Sequence, residues 1–186
     1  MTKNQKEEKS LINRVLIEFG PILVFISLFE INGFFFATAG MIVTVLMSIL
    51  YLYVTEKTIP LFTVLVSLIT LSFALLTILL HSPKILIFRD TFYDYFFAAA
   101  IFIGLYNKKY FLKKIFSHVV QLTDKGWRTA SYAWGIYFLI MGTLNEIIRE
   151  YGTEVLWINF KIWVVVATLG LSALLTLYLK EERIVK

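Results

Sequence analysis

Leu61–Leu80 reads LFTVLVSLITLSFALLTILL, an uncharged run of twenty residues with hydroxyls as its most polar side chains. At 1.5 Å rise per residue, about twenty apolar residues cover the roughly 30 Å hydrocarbon core of a bilayer. The run is not alone. Phe34–Val54, Trp127–Ile148 and Trp157–Leu179 are blocks of similar length and character. Four such blocks in 186 residues exceed what a soluble domain of this size can bury, so the chain reads as an all-α, polytopic transmembrane helix bundle.

Two shorter blocks flank these. Val15–Phe29 carries Glu18 and Pro21, and Ile85–Leu105 is interrupted by Arg89, Asp90 and Asp94. The span count is therefore five to six, and the basic residues favour six. With six crossings, fourteen Lys and Arg fall on one side and four (Lys84, Arg89, Arg149 and Lys161) on the other; without the first crossing the bias vanishes. The positive-inside rule then places both termini and the lysine-rich loop in the cytoplasm. The expected organisation is a charged tail over 1–14, one transmembrane domain over 15–180 that includes a cytoplasmic amphipathic loop at 107–126, and a short tail over 181–186. Ala37-Thr38-Ala39 looks like a cleavage site, but Glu18 and Pro21 spoil the apolar region of a signal peptide, and cleavage is not expected.

Composition removes several functions. With no cysteine, disulfide and thiolate chemistry are excluded, and with only His81 and His118 a metal or haem centre has little support; no cofactor is expected. The net charge of +5 sits beside the membrane blocks, where it reports orientation rather than nucleic-acid binding. No H-E-x-x-H, G-x-S-x-G or P-loop pattern occurs, so the sequence does not support an enzyme.

Within the fourth loop, Lys108–Leu122 predicts an amphipathic helix with Phe111, Ile115, Val119 and Leu122 on one face and Lys109, Lys113 and Ser117 on another. Such a helix lies in the headgroup layer, which makes Lys108, Lys109, Lys113 and Lys114 the candidate contacts for lipid or for a protein partner. Inside the membrane, small or polar stripes recur: Thr63, Ser67, Thr70, Ala74, Thr77 and His81 in the third block, Ala37, Gly40, Thr44, Ser48, Tyr51 and Thr55 in the second, and Ser131, Gly135 and Gly142 in the fifth. Close approach at small residues is how helices associate in lipid, so packing is the first reading of the stripes. The alternative is a solute pathway in a small transporter or channel, but the chain shows no matched pair of broken helices and no internal repeat.

Each membrane charge needs an address. Glu18 can pair with Arg14 at i, i+4 near the cytoplasmic face. Asp94 is accommodated if the fourth span starts near Thr91 and Ile85–Phe88 runs along the surface. Lys161, one turn into the last block, is expected to snorkel outward beside Glu146 or Glu150, with Trp157 and Trp163 in an aromatic belt.

Trp157-Ile158-Asn159-Phe160-Lys161 resembles the W-x-N-F-K motif of the intracellular septation protein A family, the YciB-type inner membrane-spanning proteins. Phe19-Gly20-Pro21 with Phe25 and Phe29, Ala37-Thr38-Ala39, Thr91 and Asn145 match other family positions in the same order, so the likeness runs from about Ile17 to Leu179. Phe88, Arg89 and Asp90 stand where the family usually has Trp, Lys and Pro. The resemblance implies a multi-pass protein of the bacterial inner membrane with a role in envelope biogenesis, envelope integrity and septation. It marks Trp157, Asn159, Phe160, Lys161 and Asn145 as motif residues and carries over no catalytic group. The partners it implies are membrane lipids and other envelope-synthesis or division membrane proteins.

Overall fold

The computed structural model describes the backbone of residues 3–57, 61–117 and 120–184, with side chains from residue 20 onward except at 56, 61 and 62. Arg14 and Glu18, the pair expected near the cytoplasmic face, lie outside the described side chains, as does His118. The described residues form six α-helices: α1 (Lys3–Glu56), α2 (Leu61–Leu79), α3 (Pro83–Tyr106), α4 (Phe111–Phe116), α5 (Asp124–Tyr151) and α6 (Glu154–Tyr178). A 3₁₀ turn, Lys180–Glu182, follows. All six apolar blocks are helical. By length and composition, 20–55 and Glu154–Tyr178 are long and apolar enough to cross a membrane, and Thr63–Leu79 is a shorter apolar helix. On α6, Trp163, Leu169, Leu174 and Leu177 are each about two-thirds exposed or more, an apolar surface suited to lipid and not to water. The protein is an all-α membrane protein.

The chain divides into two compact units, 1–89 and 90–186, with the boundary inside α3. In the first unit, α1 begins at Lys3, within the segment expected to be a separate charged tail, and breaks at Gly33. Gly33 has φ 77° and ψ −175°, a region open to glycine and hardly to other residues. The chain reverses there, so that a Cβ on Gly40 would fall 2.1 Å from Leu28 and one on Gly20 would sit 3.9 Å from Thr44. Phe25 and Phe34 pack edge to face across the turn at 5.3 Å. The first two blocks are thus arms of one helical hairpin.

The small-residue stripes pack, in part. Ala37, Thr38, Ala74 and Thr77 are fully buried, whereas Tyr51, Thr55 and His81 are exposed. Thr38, Thr44 and Thr77 donate their hydroxyls to the carbonyls of Phe34, Gly40 and Phe73, each at 2.8 Å. His81 belongs to a turn: with φ 48° it closes α2, where Ser82 N–H reaches Thr77 C=O at 3.1 Å. Ile85–Phe88, expected to lie along the surface, is instead the first turn of α3, with Leu86 and Ile87 buried.

In the second unit, α5 packs against both α3 and α6. Cβ atoms on Gly135 and Gly142 would approach Phe102 Cζ to 2.9 Å and Asp94 Cβ to 3.0 Å, so these glycines let α3 come close. On the α6 side, the Tyr137 hydroxyl donates to Val164 C=O at 3.1 Å and lies 2.6 Å from Thr168 Oγ1. Gly152 and Thr153 alone join α5 to α6, a link short enough to make them antiparallel neighbours; Thr153 Oγ1 caps α6 by accepting from Leu156 N–H at 3.2 Å.

The amphipathic helix expected over 108–122 is cut to Phe111–Phe116. Lys108 (φ 54°) closes α3, and the chain then folds back so tightly that a Cβ on Gly104 would sit 2.7 Å from Lys109 C=O. Leu112 turns inward and joins Ile101, Leu122, Trp127, Ala130 and Leu179 in a buried cluster. Leu122, expected on the helix face, pairs with Arg183 in an isolated antiparallel bridge, flanked by Thr123 N–H to Glu182 C=O at 2.9 Å and Ile184 N–H to Gln121 C=O at 3.0 Å.

Candidate functional site

The site with the densest chemistry lies where α3, α5 and α6 of the second unit meet near Asp90, Asn145 and Lys161. On α3, Thr91, Asp94, Ala98 and Ile101 recur at three- and four-residue steps, which puts them on one helical face. Thr91, Ala98 and Ile101 are buried and Asp94 is half-buried. The last turns of α5 supply Asn145, Glu146 and Arg149, and the first two turns of α6 supply Trp157 and Lys161.

Lys161 Nζ lies 2.7 Å from Asp90 Oδ2, with the two side chains only 16% and 15% exposed. The same ammonium donates to Asn145 Oδ1 at 3.3 Å, and Asn145 Nδ2 donates to Thr91 Oγ1 at 2.8 Å. Thr91 in turn donates to Glu146 Oε2 at 3.2 Å. Arg149 grips Glu146 with two donors, Nε to Oε2 at 2.9 Å and Nη2 to Oε1 at 2.5 Å, and reaches Glu150 at 3.6 Å. The result is one continuous chain of polar contacts across three helices. Trp157 and Phe160 flank the ammonium, with ring centroids 5.3 and 5.6 Å from Nζ.

Sequence reasoning brought Lys161 to this region but gave it the wrong partner. Glu146 and Glu150 are nearest along the chain, yet Arg149, on their own helix, takes both, and Lys161 turns inward to Asp90 instead of outward to headgroups. Asp90 was singled out only as one of the charges that interrupt the block over 85–105, and Thr91 and Arg149 were given no partner beforehand. Arg149 was legible from its i, i+3 spacing to Glu146. The Asp90–Lys161 pair depends on the register of two helices seventy residues apart in sequence and had no local signal. Among the motif residues, Trp157 and Asn145 are buried and Lys161 nearly so, Phe160 is half-buried and Asn159 is exposed. Trp157 therefore packs inside, and only Trp163 of the expected belt faces outward.

What this arrangement can do chemically is hold three helix ends in one register. Thr91 and Asn145 are fully buried and each is bonded to the next member, so the Thr91 hydroxyl and the Glu146 carboxylate satisfy one another. Among the described residues, no group of three or more His, Cys, Asp or Glu is placed to hold a metal ion.

The opposite end of the second unit is basic. Lys108, Lys109, Lys113 and Lys114 are all exposed; Lys113 pairs with Asp124 at 2.7 Å. Lys125 pairs with Glu182 at 2.9 Å, and the Thr123 hydroxyl also donates to Glu182. These two contacts hold the Glu182 carboxyl below the usual glutamate range, the Thr123 bond being the larger cause, and the bond to Glu182 pushes the Lys125 ammonium up.

Comparison with known proteins agrees with the motif. The chain is 29% identical over 161 residues to the inner membrane-spanning protein YciB of Afipia carboxidovorans, covering 87% of this chain and 80% of that one. It is 30% identical over 153 residues to the protein of the same name in a Bradyrhizobium species, covering 82% and 76%. For that of Delftia acidovorans the identity is 29% over 177 residues, covering 91% and 88%. No solved structure matches. Residues 13–184, nearly the whole chain, match the family model for intracellular septation protein A, and the chain belongs to that family.

Proposed function

We propose that this protein serves cell-envelope integrity and septation as a non-enzymatic, multi-pass protein of a bacterial inner membrane, acting through lipid and membrane-protein contacts. The observation that carries the reading is the Asp90–Lys161–Asn145–Thr91–Glu146–Arg149 network, whose members bind one another and so brace helices. The threonines at 38, 44 and 77 likewise give their hydroxyls to their own helices, which supports packing over a solute path. The charge pattern favours an orientation with the lysine-rich end and both termini in the cytoplasm.

The test is complementation of cells lacking the protein, scored by septation and envelope leakage, with alanine placed singly at Asp90, Asp94, Glu146 and Lys161. A brace predicts that function falls only as far as the amount of folded protein falls. Full abundance with no function at any of these positions would point to catalysis and overturn the reading. Thr70→Leu separates the transport alternative: abolished solute flux at normal abundance would replace packing with a pathway.

A further inference from the structure

We propose that the basic end of the second unit is a binding surface for anionic phospholipid headgroups, formed by Lys108 and Lys109 on the α3–α4 turn and Lys114 on α4. The inference rests on the membrane reading above and goes further by naming the ligand class and the residues.

Three observations combine. First, the lysines divide into two sets. Lys113 and Lys125 are matched to Asp124 and Glu182 at 2.7 and 2.9 Å, whereas Lys108, Lys109 and Lys114 have no acidic partner within 4 Å among the described residues. These three uncompensated charges lie within one seven-residue stretch, 108–114. Second, the α3–α4 turn is built and not loose. Lys109 N–H donates to Gly104 C=O at 2.8 Å, Lys108 holds a left-handed φ of 54°, and Leu112 anchors α4 in the buried cluster. The ammonium groups are therefore presented from a fixed backbone, which lowers the ordering cost of binding a phosphate. Third, apolar side chains stand beside them: Tyr106 is 88% exposed and Phe116 49%, with Ile115 between Phe116 and Lys114 on α4. A cation row edged by exposed aromatic and aliphatic groups matches a lipid, whose phosphate sits above its acyl chain, better than a free anion.

The experiment uses the purified full-length chain in a neutral detergent, titrated with phosphatidylglycerol or with phosphatidylcholine of the same acyl chains. Bound lipid is counted by native mass spectrometry at low and high salt. The wild type is expected to prefer phosphatidylglycerol, with the preference shrinking at high salt. The combined Lys108→Gln, Lys109→Gln, Lys114→Gln variant is expected to lose about a hundred-fold in affinity for phosphatidylglycerol and nothing for phosphatidylcholine. The corresponding triple arginine variant is expected to keep the preference, which shows that charge and not fold was removed. Equal binding of the two lipids by the wild type, or a glutamine variant that still prefers phosphatidylglycerol, overturns the proposal. Because the readout is lipid binding to isolated protein, it stands or falls separately from complementation of septation.

Discussion

Removing one charge of the Asp90–Lys161 pair is expected to cost far more than removing both. The two side chains are 16% and 15% exposed and 2.7 Å apart, so each compensates the other away from water. Deleting one partner of a buried pair typically costs about 3–5 kcal/mol, because the remaining charge is left desolvated. Asp90→Asn keeps the shape and one acceptor oxygen, so about 3 kcal/mol is expected. Lys161→Met strands Asp90 and also removes the bond to Asn145 and the contacts with Trp157 and Phe160, so about 4 kcal/mol is expected. The double variant removes both members of the pair, leaving neither stranded opposite the other, and a cost of only about 2 kcal/mol is expected. The coupling energy, the sum of the single costs less the double cost, is then about 5 kcal/mol. The assay is reversible unfolding in mixed micelles, followed by near-ultraviolet circular dichroism on all four forms. Single costs that simply add would mean that the two charges do not compensate one another, and the buried-pair argument would fail.

Gly33→Ala is expected to destabilise by about 1–3 kcal/mol through backbone strain alone, since no atom lies within 4 Å of the added methyl; Gly170→Ala, equally open but inside α6, is the matched control and should gain up to about 1 kcal/mol. Gly142→Val is expected to separate α5 from α3, because its first carbon already lies 3.0 Å from Asp94 Cβ, and a cross-link between cysteines placed at 97 and 138, where the phenylalanine rings now pack at 5.6 Å, would then form more slowly. The clasp of the C-terminal segment is expected to depend on pH. Glu182 has a lowered pKa, so its contribution is complete above the ordinary glutamate value of about 4.5 and is lost as pH falls through the lowered one, while Lys125, with a raised pKa, loses its contribution only as pH rises through a value above 10.5. Protection of the Ile184 and Thr123 amides, taken relative to the intrinsic exchange rate at each pH, should therefore be high at pH 6 and fall once the pH drops below the lowered Glu182 value, and Glu182→Gln should have lower protection than wild type at pH 6. Single cysteines at Asn32, Ser82 and Thr153 are expected to react with an impermeant maleimide from outside the cell, and those at Glu56, Ser117 and Glu182 are not; the reverse pattern would invert the proposed orientation.

Periodicity and block length were enough to find every long helix, because apolar runs of bilayer length have few alternatives. They were not enough where a tertiary contact overrode a local pattern. Lys108–Leu122 has a continuous amphipathic spacing, yet the helix stops at Phe116 and Leu122 pairs with Arg183, sixty-one residues away in the chain. That pairing belongs to the packing of the C-terminal segment, which periodicity within the loop cannot report. Gly33 illustrates the opposite case: the polar gap at 30–33 already called for a reversal if the first two blocks both cross, and the backbone shows that one left-handed glycine makes it within an otherwise unbroken helix. For the charged site, the residues were visible and their pairing was not. Asp90, Asp94, Glu146, Glu150 and Lys161 were all candidates; which carboxylate meets the ammonium is decided by how far α3 and α6 slide along α5.

That sliding explains what the network contributes. Lipid gives no hydrophobic drive for one helix to meet another, and the glycine and serine positions on α5 allow close approach at more than one register. Ser131, Gly135 and Gly142 are buried, but contacts at such small residues are nearly the same one turn up or down. A chain of directed contacts is not. Moving α3 by one turn, about 5.4 Å, would carry Asp90 away from Lys161 and Thr91 away from both Asn145 and Glu146 at once. Buried ion pairs are weak sources of net stability, since desolvation offsets most of their attraction. Their larger effect here is to make every other register worse. The Asp90→Asn, Lys161→Met double variant therefore tests more than energy: it should remain folded yet lose a single fixed register, seen as broadened side-chain signals from Trp157 and as several, not one, disulfide cross-links between cysteines placed along α3 and α5. A double variant as well ordered as the wild type would show that the glycine contacts alone set the register.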